Sequence, residues 1–375
     1  MTLRSGMVFS AIIALGIQSR AVAEVTDSEL RTNLQQRIDK SKADIGVVVG
    51  IIDASGTRII SCGNEGSYNG DTVFEIGSVT KVFTSLILAD MVTRGEVKVD
   101  DPISKYLPNS VKVPKRGGRE ITFVDLSTHS SGLPRLPGNL SFWHLLIHSD
   151  NPYAGYTVQE MYDFLSTYTL PRDIGAEYEY SNLGAGLLGH VLALKAGTDY
   201  EALVLERVCR PLGMTNTLIT LSPEMKERMA QGHNAAGKAV PNWDMPALAG
   251  AGALRSTGND LLKLVAANMG LTKSSLTPAM ELEQVPRHDT DLPNTRVALA
   301  WHITKTRGIE MVWHNGGTGG FRTFIGFDKK NHRGVVVLTN SANDKNVDVD
   351  EIGGSLLANE LDAPADEAKS STVRH

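Results

Sequence analysis

The chain carries 375 residues, 41% of them hydrophobic and 21% charged, with a net charge of −5. That length and balance suit a folded globular protein with one large core or two joined ones. The acidic balance, with no basic stretch to offset it, argues against a nucleic-acid partner. Beyond the N-terminus no apolar run is long enough to span a bilayer.

The first 23 residues read as a secretory signal. Arg4 supplies a positive start, Met7 to Ile17 is largely apolar, and Ala21-Val22-Ala23 offers a small-x-small cleavage site before Glu24. The competing reading is a short membrane anchor or a buried first helix. A signal would place the mature chain, from about Glu24, in a periplasm or outside the cell. Such a compartment permits disulfides, but Cys62 and Cys209 read as two separate thiols. Two cysteines alone cannot build a structural zinc site.

Asp44 to Asp53 is rich in β-branched residues, Ala54 to Thr57 is a turn, and Arg58 to Cys62 resumes extended, which predicts a hairpin. Val73, Phe74 and Ile76 form a short apolar run ending at Gly77. From Ser78 a helical pattern carries Val82, Phe83, Leu86, Ile87 and Met91 at spacings of three and four and closes near Arg94-Gly95. Loop punctuation then dominates from Asp100 to Gly138. Helical patterns follow at Val158 to Tyr168, Leu183 to Ala196, Tyr200 to Arg210 and Gly258 to Met269. Strands are predicted at Val297 to Thr304, Ile309 to His314, Phe321 to Asp328 and Gly334 to Asn340, with a last helix over Val349 to Leu361.

No alternating strand–helix rhythm is present, so a doubly wound parallel sheet is excluded. The order predicts a mixed α/β (α+β) fold with an antiparallel sheet flanked by helices. Its α/β domain is discontinuous, built from 24–95 and 296–361, with a mostly helical domain inserted at 96–295 and a flexible tail at 362–375. A site is expected in the cleft between the two parts.

Three stretches carry chemistry. Ser78 stands at a helix start, where backbone N–H groups lack partners, and Lys81 shares its face one turn on. A nucleophilic hydroxyl needs a nearby proton acceptor and donors aimed at the oxyanion it creates; Ser78-Val79-Thr80-Lys81 can supply both. The plainer reading is a serine capping a buried helix. The second stretch is Tyr180-Ser181-Asn182. Tyr180 could act as a base if Lys81 lowers its pKa, and the Asn182 amide can face both a substrate carbonyl and Lys81; alternatively Tyr180 is merely buried and Asn182 caps the next helix. The third is His314-Asn315-Gly316-Gly317. His314 could meet a substrate carboxylate or move a proton, the glycines would let a substrate lie along the edge, and a Gly317 N–H could complete an oxyanion hole. The alternative is a glycine-rich turn with an exposed histidine. His144 and His148 lie four apart, but without the glutamate of a His-Glu-x-x-His pattern no metal site is expected.

Taken in order, these motifs resemble those of the serine β-lactamase and DD-peptidase superfamily, closest to the branch of class C β-lactamases, DD-carboxypeptidases with a His-x-Gly third motif, and related esterases. The connectors Ser127 to Pro134, Gly252 to Thr257 and Gly320 to Phe324 are similar as well, so the likeness covers Asp44 to Leu361. The resemblance implies Ser78 as the acylated nucleophile, Lys81 as its proton partner and Tyr180 as the catalytic tyrosine. It implies Asn182, His314 and Gly316 at the substrate, an oxyanion hole from the N–H groups of Ser78 and Gly317, and no metal or organic cofactor. His314 stands where class C β-lactamases carry a lysine, which leaves room for peptidase or esterase work. The expected activity is β-lactam hydrolysis through an acyl-enzyme. The alternatives are D-alanyl-D-alanine carboxypeptidase or endopeptidase activity, an esterase, and a non-catalytic penicillin-binding receptor. The expected partner is a small β-lactam or D-Ala-D-Ala peptide, and the expected state a monomer.

Overall fold

In the computed structural model, residues 24–41, 44–64, 68–140, 151–306, 308–342 and 345–361 are described. The signal segment, His144 with His148, and the tail from 362 lie outside them. An eight-stranded antiparallel sheet runs through the molecule. Its order is β2 (Gly56–Gly63), β1 (Gly46–Asp53), β12 (Arg333–Thr339), β11 (Arg322–Asp328), β10 (Ile309–Gly317), β9 (His302–Thr306), β8 (Thr295–Val297) and β7 (His288–Asp289). The N-terminal hairpin therefore closes onto the last strand of the chain, with Val47 opposite Thr339 and Ile52 opposite Gly334. Short pairs β3 (Val73–Glu75) with β6 (Arg255–Thr257), and β4 (Lys115–Arg116) with β5 (Arg119–Glu120), lie outside this sheet.

β1 reads as an unbroken apolar run because both faces of the sheet are covered. Val47, Val49 and Ile51 pack with Leu30, Leu34 and Ile38 of helix α1 (Asp27–Asp39) and with Ile352 and Leu356 of a C-terminal helix (Val349–Leu357). Val48 and Ile52 face the larger core, which holds Leu262 and Val265 from the helix Gly258–Asn268. That helix, read from sequence as part of the insert, packs on the sheet itself. Within the larger core runs α2 (Thr80–Thr93), whose Val82, Phe83, Leu86, Ile87 and Leu88 have no exposed surface.

Burial on nearly every side of α2 forces its polar residues to find partners. Thr84 donates to Gly250 O at 2.7 Å and pairs with the Tyr200 hydroxyl at 2.6 Å, and Ser85 pairs with Ser127 at 2.7 Å. These bonds tie α2 to the segments that carry the other halves of the site.

Most predicted elements occur within a few residues of their expected bounds. One strand does not: Val297 to Thr304 is two strands, β8 and β9, folded into a hairpin. Ala298 donates to Trp301 O at 2.8 Å, and Ala300 takes a left-handed φ of 64° while donating to Ser127 O at 3.2 Å. The run is apolar because this turn is buried, with Trp301 at 0% exposure, and burial mimics the strand pattern. The two cysteines are separate buried thiols, Cys62 in the smaller core and Cys209 in the larger.

Candidate active site

Ile76 ends the extended segment after β3, and Gly77–Val79 forms a single tight 3₁₀ turn that leads into α2. Gly77 has φ +48°, and a β-carbon there would fall 2.6 Å from the Gly317 amide nitrogen. One on Gly316 would lie 3.1 Å from the Ser78 amide nitrogen. Only glycine at both positions lets the end of β10 lie flush against the turn that presents Ser78. The end of β10 at Gly317 thereby lies beside the turn that carries Ser78.

One turn on, Lys81 is 2% exposed. Its Nζ lies 3.0 Å from Ser78 Oγ, 2.9 Å from Asn182 Oδ1 and 2.7 Å from Ala251 O. Burial holds this amine well below its ordinary range, and the charge of Arg135 adds to the effect. A neutral amine has two N–H donors and one lone pair. In that form, with Asn182 and Ala251 taking the two donors, the lone pair would face the Ser78 hydroxyl proton.

The loop from His129 to Arg135 braces the second motif. Glu179 donates to His129 O at 2.8 Å, Asn182 to Arg135 O at 3.1 Å, and Ser181 N to His129 Nδ1 at 3.1 Å. Ser181, rather than Asn182, caps the helix Asn182–Ala196, its Oγ accepting from Gly184 N at 2.8 Å. Asn182 is thus free to reach Lys81, and its Nδ2 donates to the Tyr153 hydroxyl at 2.7 Å. The Tyr180 hydroxyl hydrogen-bonds Ser78, while its ring lies 4.8 Å from Lys81 Nζ and 5.0 Å from the Arg135 guanidinium carbon. Burial pushes this phenol up from its usual value, opposed by the Ser78 bond and Arg135. The direction is opposite to the lowered value that the sequence reading required of a tyrosine base, because desolvation is the largest influence on this phenol.

Ser78, Tyr180, Gly316 and Gly317 border a cavity of about 420 Å³, with Arg135 and Tyr178 on one side and Trp313, Asn315 and Asp350 on the other. It opens between the braced loops of the middle region and the end of β10. Of the expected site residues, Lys81 and Asn182 do not line it but are joined to Ser78 through hydrogen bonds, and His314 does not line it either. It is fully buried and lies outside the cavity wall. Side chains alternate along a strand, so Trp313 and Asn315 turn to the cavity side while His314 turns inward with Val312. Its Nδ1 meets Asn315 O at 2.6 Å, its Nε2 has no hydrogen-bond partner, and burial with His302 and Lys81 nearby holds it well below the usual imidazole range. Enclosed and off the cavity wall, the imidazole is not placed to meet a substrate carboxylate, unlike the sequence expectation.

Sequence reasoning missed Arg135, Tyr153, the Ala251 carbonyl and Asp350. Arg135 directly follows the connector ending at Pro134, and Ala251 directly precedes the one beginning at Gly252; those neighbours were the available signal. Asp350 accepts from Asn315 Nδ2 at 2.7 Å, and burial raises its carboxyl to about 6. Among the described residues no group of three or more His, Cys, Asp or Glu side chains is arranged to hold a metal ion.

Comparison with known proteins points to one family. The chain is 29% identical to the D-alanyl-D-alanine-carboxypeptidase/endopeptidase AmpH of Escherichia coli K12, over 90% of this chain and 92% of that protein. It is 26% identical to a β-lactamase of Pseudomonas fluorescens, covering 85% and 93%. Among solved structures, a β-lactamase/D-alanine carboxypeptidase of Yersinia pestis superposes with a TM-score of 0.74 at 24% identity, over 89% and 99% of the two chains. A class C β-lactamase of Rhodobacter sphaeroides gives 0.72 at 23%, over 84% and 94%. The β-lactamase family model matches residues 30–358, and the chain belongs to that family, as a serine hydrolase of the β-lactamase or DD-peptidase kind.

Proposed function

We propose that the chain hydrolyses peptides ending in D-alanyl-D-alanine through an acyl-enzyme on Ser78, and that β-lactams acylate the same serine. The observation that carries this reading is the Lys81 amine, buried, driven toward neutrality and 3.0 Å from Ser78 Oγ. Ser78 Oγ attacks the scissile carbonyl as its proton passes to Lys81. The oxyanion is received by the N–H groups of Ser78 and Gly317. When the carbon–nitrogen bond breaks, the protonated Tyr180 phenol gives its proton to the departing amine and is recharged from Lys81. Water then attacks the ester, returns a proton along the same path and frees Ser78. Asn182 holds Lys81 in place, with a second amide hydrogen left for the substrate carbonyl.

The preference for peptides rests on the leaving group. A peptide amine departs and opens the space beside Tyr180 to water. The amine of an opened β-lactam stays tethered there and keeps water from the ester. The likeness to AmpH supports the same choice. β-Lactam hydrolysis is the second reading, favoured by the Pseudomonas fluorescens relative.

The signal pattern supports action in the periplasm or outside the cell, and no helix among the described residues is long and apolar enough to cross a membrane. The division into a discontinuous α/β domain and a helical insert is proposed with one change, the helix Gly258–Asn268 belonging with the sheet. A monomer suffices, since every group in the scheme comes from one chain.

Three probes test the reading: a D-Ala-D-Ala peptide, a chromogenic cephalosporin and a fluorescent penicillin. Peptide turnover with slow release of penicillin is expected. Fast cephalosporin turnover without peptide cleavage would select the β-lactamase. In Ser78→Ala, labelling and turnover vanish with the thermal midpoint kept; surviving covalent label would remove Ser78 from its role.

A further inference from the structure

Two arginines line the cavity and the Lys81 amine lies behind Ser78, and two of these three basic groups are occupied. Lys81 is held by Ser78, Asn182 and Ala251. Arg322 folds back over Gly317, donates to Phe321 O at 3.4 Å and Thr318 O at 3.5 Å, and lies in the field of Asp350 and Asp348. Arg135 differs. It is exposed at the cavity rim, its guanidinium 5.0 Å from the Tyr180 ring centre, and among the described residues its side chain has neither a hydrogen bond nor an ion pair. Its backbone carbonyl, by contrast, is pinned by Asn182 N and Leu183 N, while its guanidinium rests over the Tyr180 ring.

We propose that Arg135 binds the carboxylate of the leaving group and is the residue that selects substrates with a free C-terminus. The inference rests on the reading of Ser78 and Tyr180 given above. A departing D-alanine carries its carboxylate one carbon from the nitrogen that Tyr180 protonates. That nitrogen must lie within hydrogen-bond reach of the Tyr180 hydroxyl, which places the carboxylate a few ångströms further out, beside the ring that Arg135 overlies. A guanidinium offers two parallel N–H donors to a carboxylate and stays charged at all working pH values. His314, enclosed and outside the cavity wall, cannot take this part.

Two esters with the same D-alanyl acyl group test this: the D-lactate ester with its free carboxylate, and the same compound with that carboxylate methylated. In Arg135→Gln, kcat/KM on the carboxylate ester falls roughly 10- to 100-fold, chiefly through KM, the fold expected for one charge-assisted pair. The loss on the methylated ester is at least tenfold smaller. Arg135→Lys, which keeps the charge without the fork, falls between. Equal losses on both esters would assign Arg135 to Tyr180 instead, and a larger selective loss in Arg322→Gln would move the carboxylate to Arg322; either overturns the proposal. If Arg135→Gln hydrolyses both esters at the wild-type rate, Arg135 alone is wrong. If the wild-type chain hydrolyses neither, or Ser78→Ala still hydrolyses both, the underlying reading fails and takes this one with it.

Discussion

Lys81 and His314 are two bases buried behind the wall of one cavity, the first on α2 and the second on β10. Desolvation pushes both toward their neutral forms. Lys81 has a partner for each hydrogen-bonding position, one of them Ser78, whereas His314 Nε2 has none. Burial alone therefore does not make a base useful. The difference is made by contact with the nucleophile, and α2 supplies it through a spacing of three residues within one helix.

The sharpest way to break that contrast is Lys81→Met, which keeps the length of the side chain and removes the amine. Acylation of Ser78 by fluorescent penicillin is expected to slow by about 10²–10⁴-fold, the usual worth of a positioned proton acceptor. A stopped-flow labelling rate near wild type would pass the base role to Tyr180.

Tyr180→Phe separates the two halves of the proton path. With the phenol kept protonated by its surroundings, its loss should fall on the departure of poor leaving groups. Turnover of a D-Ala-D-Ala peptide is expected to drop by about 10²-fold or more, and that of an activated aryl ester, whose leaving oxygen needs no proton, by much less. Equal losses on both would make Tyr180 a base for the attacking hydroxyl.

Much of this was legible in the sequence, and the reasons are local. The Ser78–Lys81 pairing follows from helix geometry, and β1, β11 and β12 from runs of β-branched residues. What escaped depends on contacts between distant segments. The parity of β10, which decides whether His314 or its neighbours face the cavity, is set by pairing with β11 and by the core beyond it. Arg135 sits in a loop, where a cation has no periodic neighbours to mark it. The β8–β9 turn is apolar because it is enclosed, and a buried turn and a buried strand share one composition.

The smallest expected effect concerns His314. An imidazole that stays neutral when folded but titrates near pH 6.5 when unfolded means that the unfolded chain binds more protons below that pH. Stability then rises with pH through this range, and is lost as the medium is acidified from about 6.5 toward the depressed folded value. In His314→Gln this source of proton uptake is gone. The slope of unfolding free energy against pH between 6.5 and 5 should flatten by at most about 1.4 kcal/mol per pH unit, the value for one proton. Asp350, raised to about 6, acts with the opposite sign in part of the same window, because its folded form holds a proton that the unfolded form has released. His129, also held low by burial, acts in the same sense as His314. Both remain in the variant, so the difference between the two slopes isolates position 314. A variant with an unchanged slope would show that the imidazole of His314 takes up a proton in the folded chain, and with it a charge beside Lys81 that would restore the histidine as a candidate for anion binding.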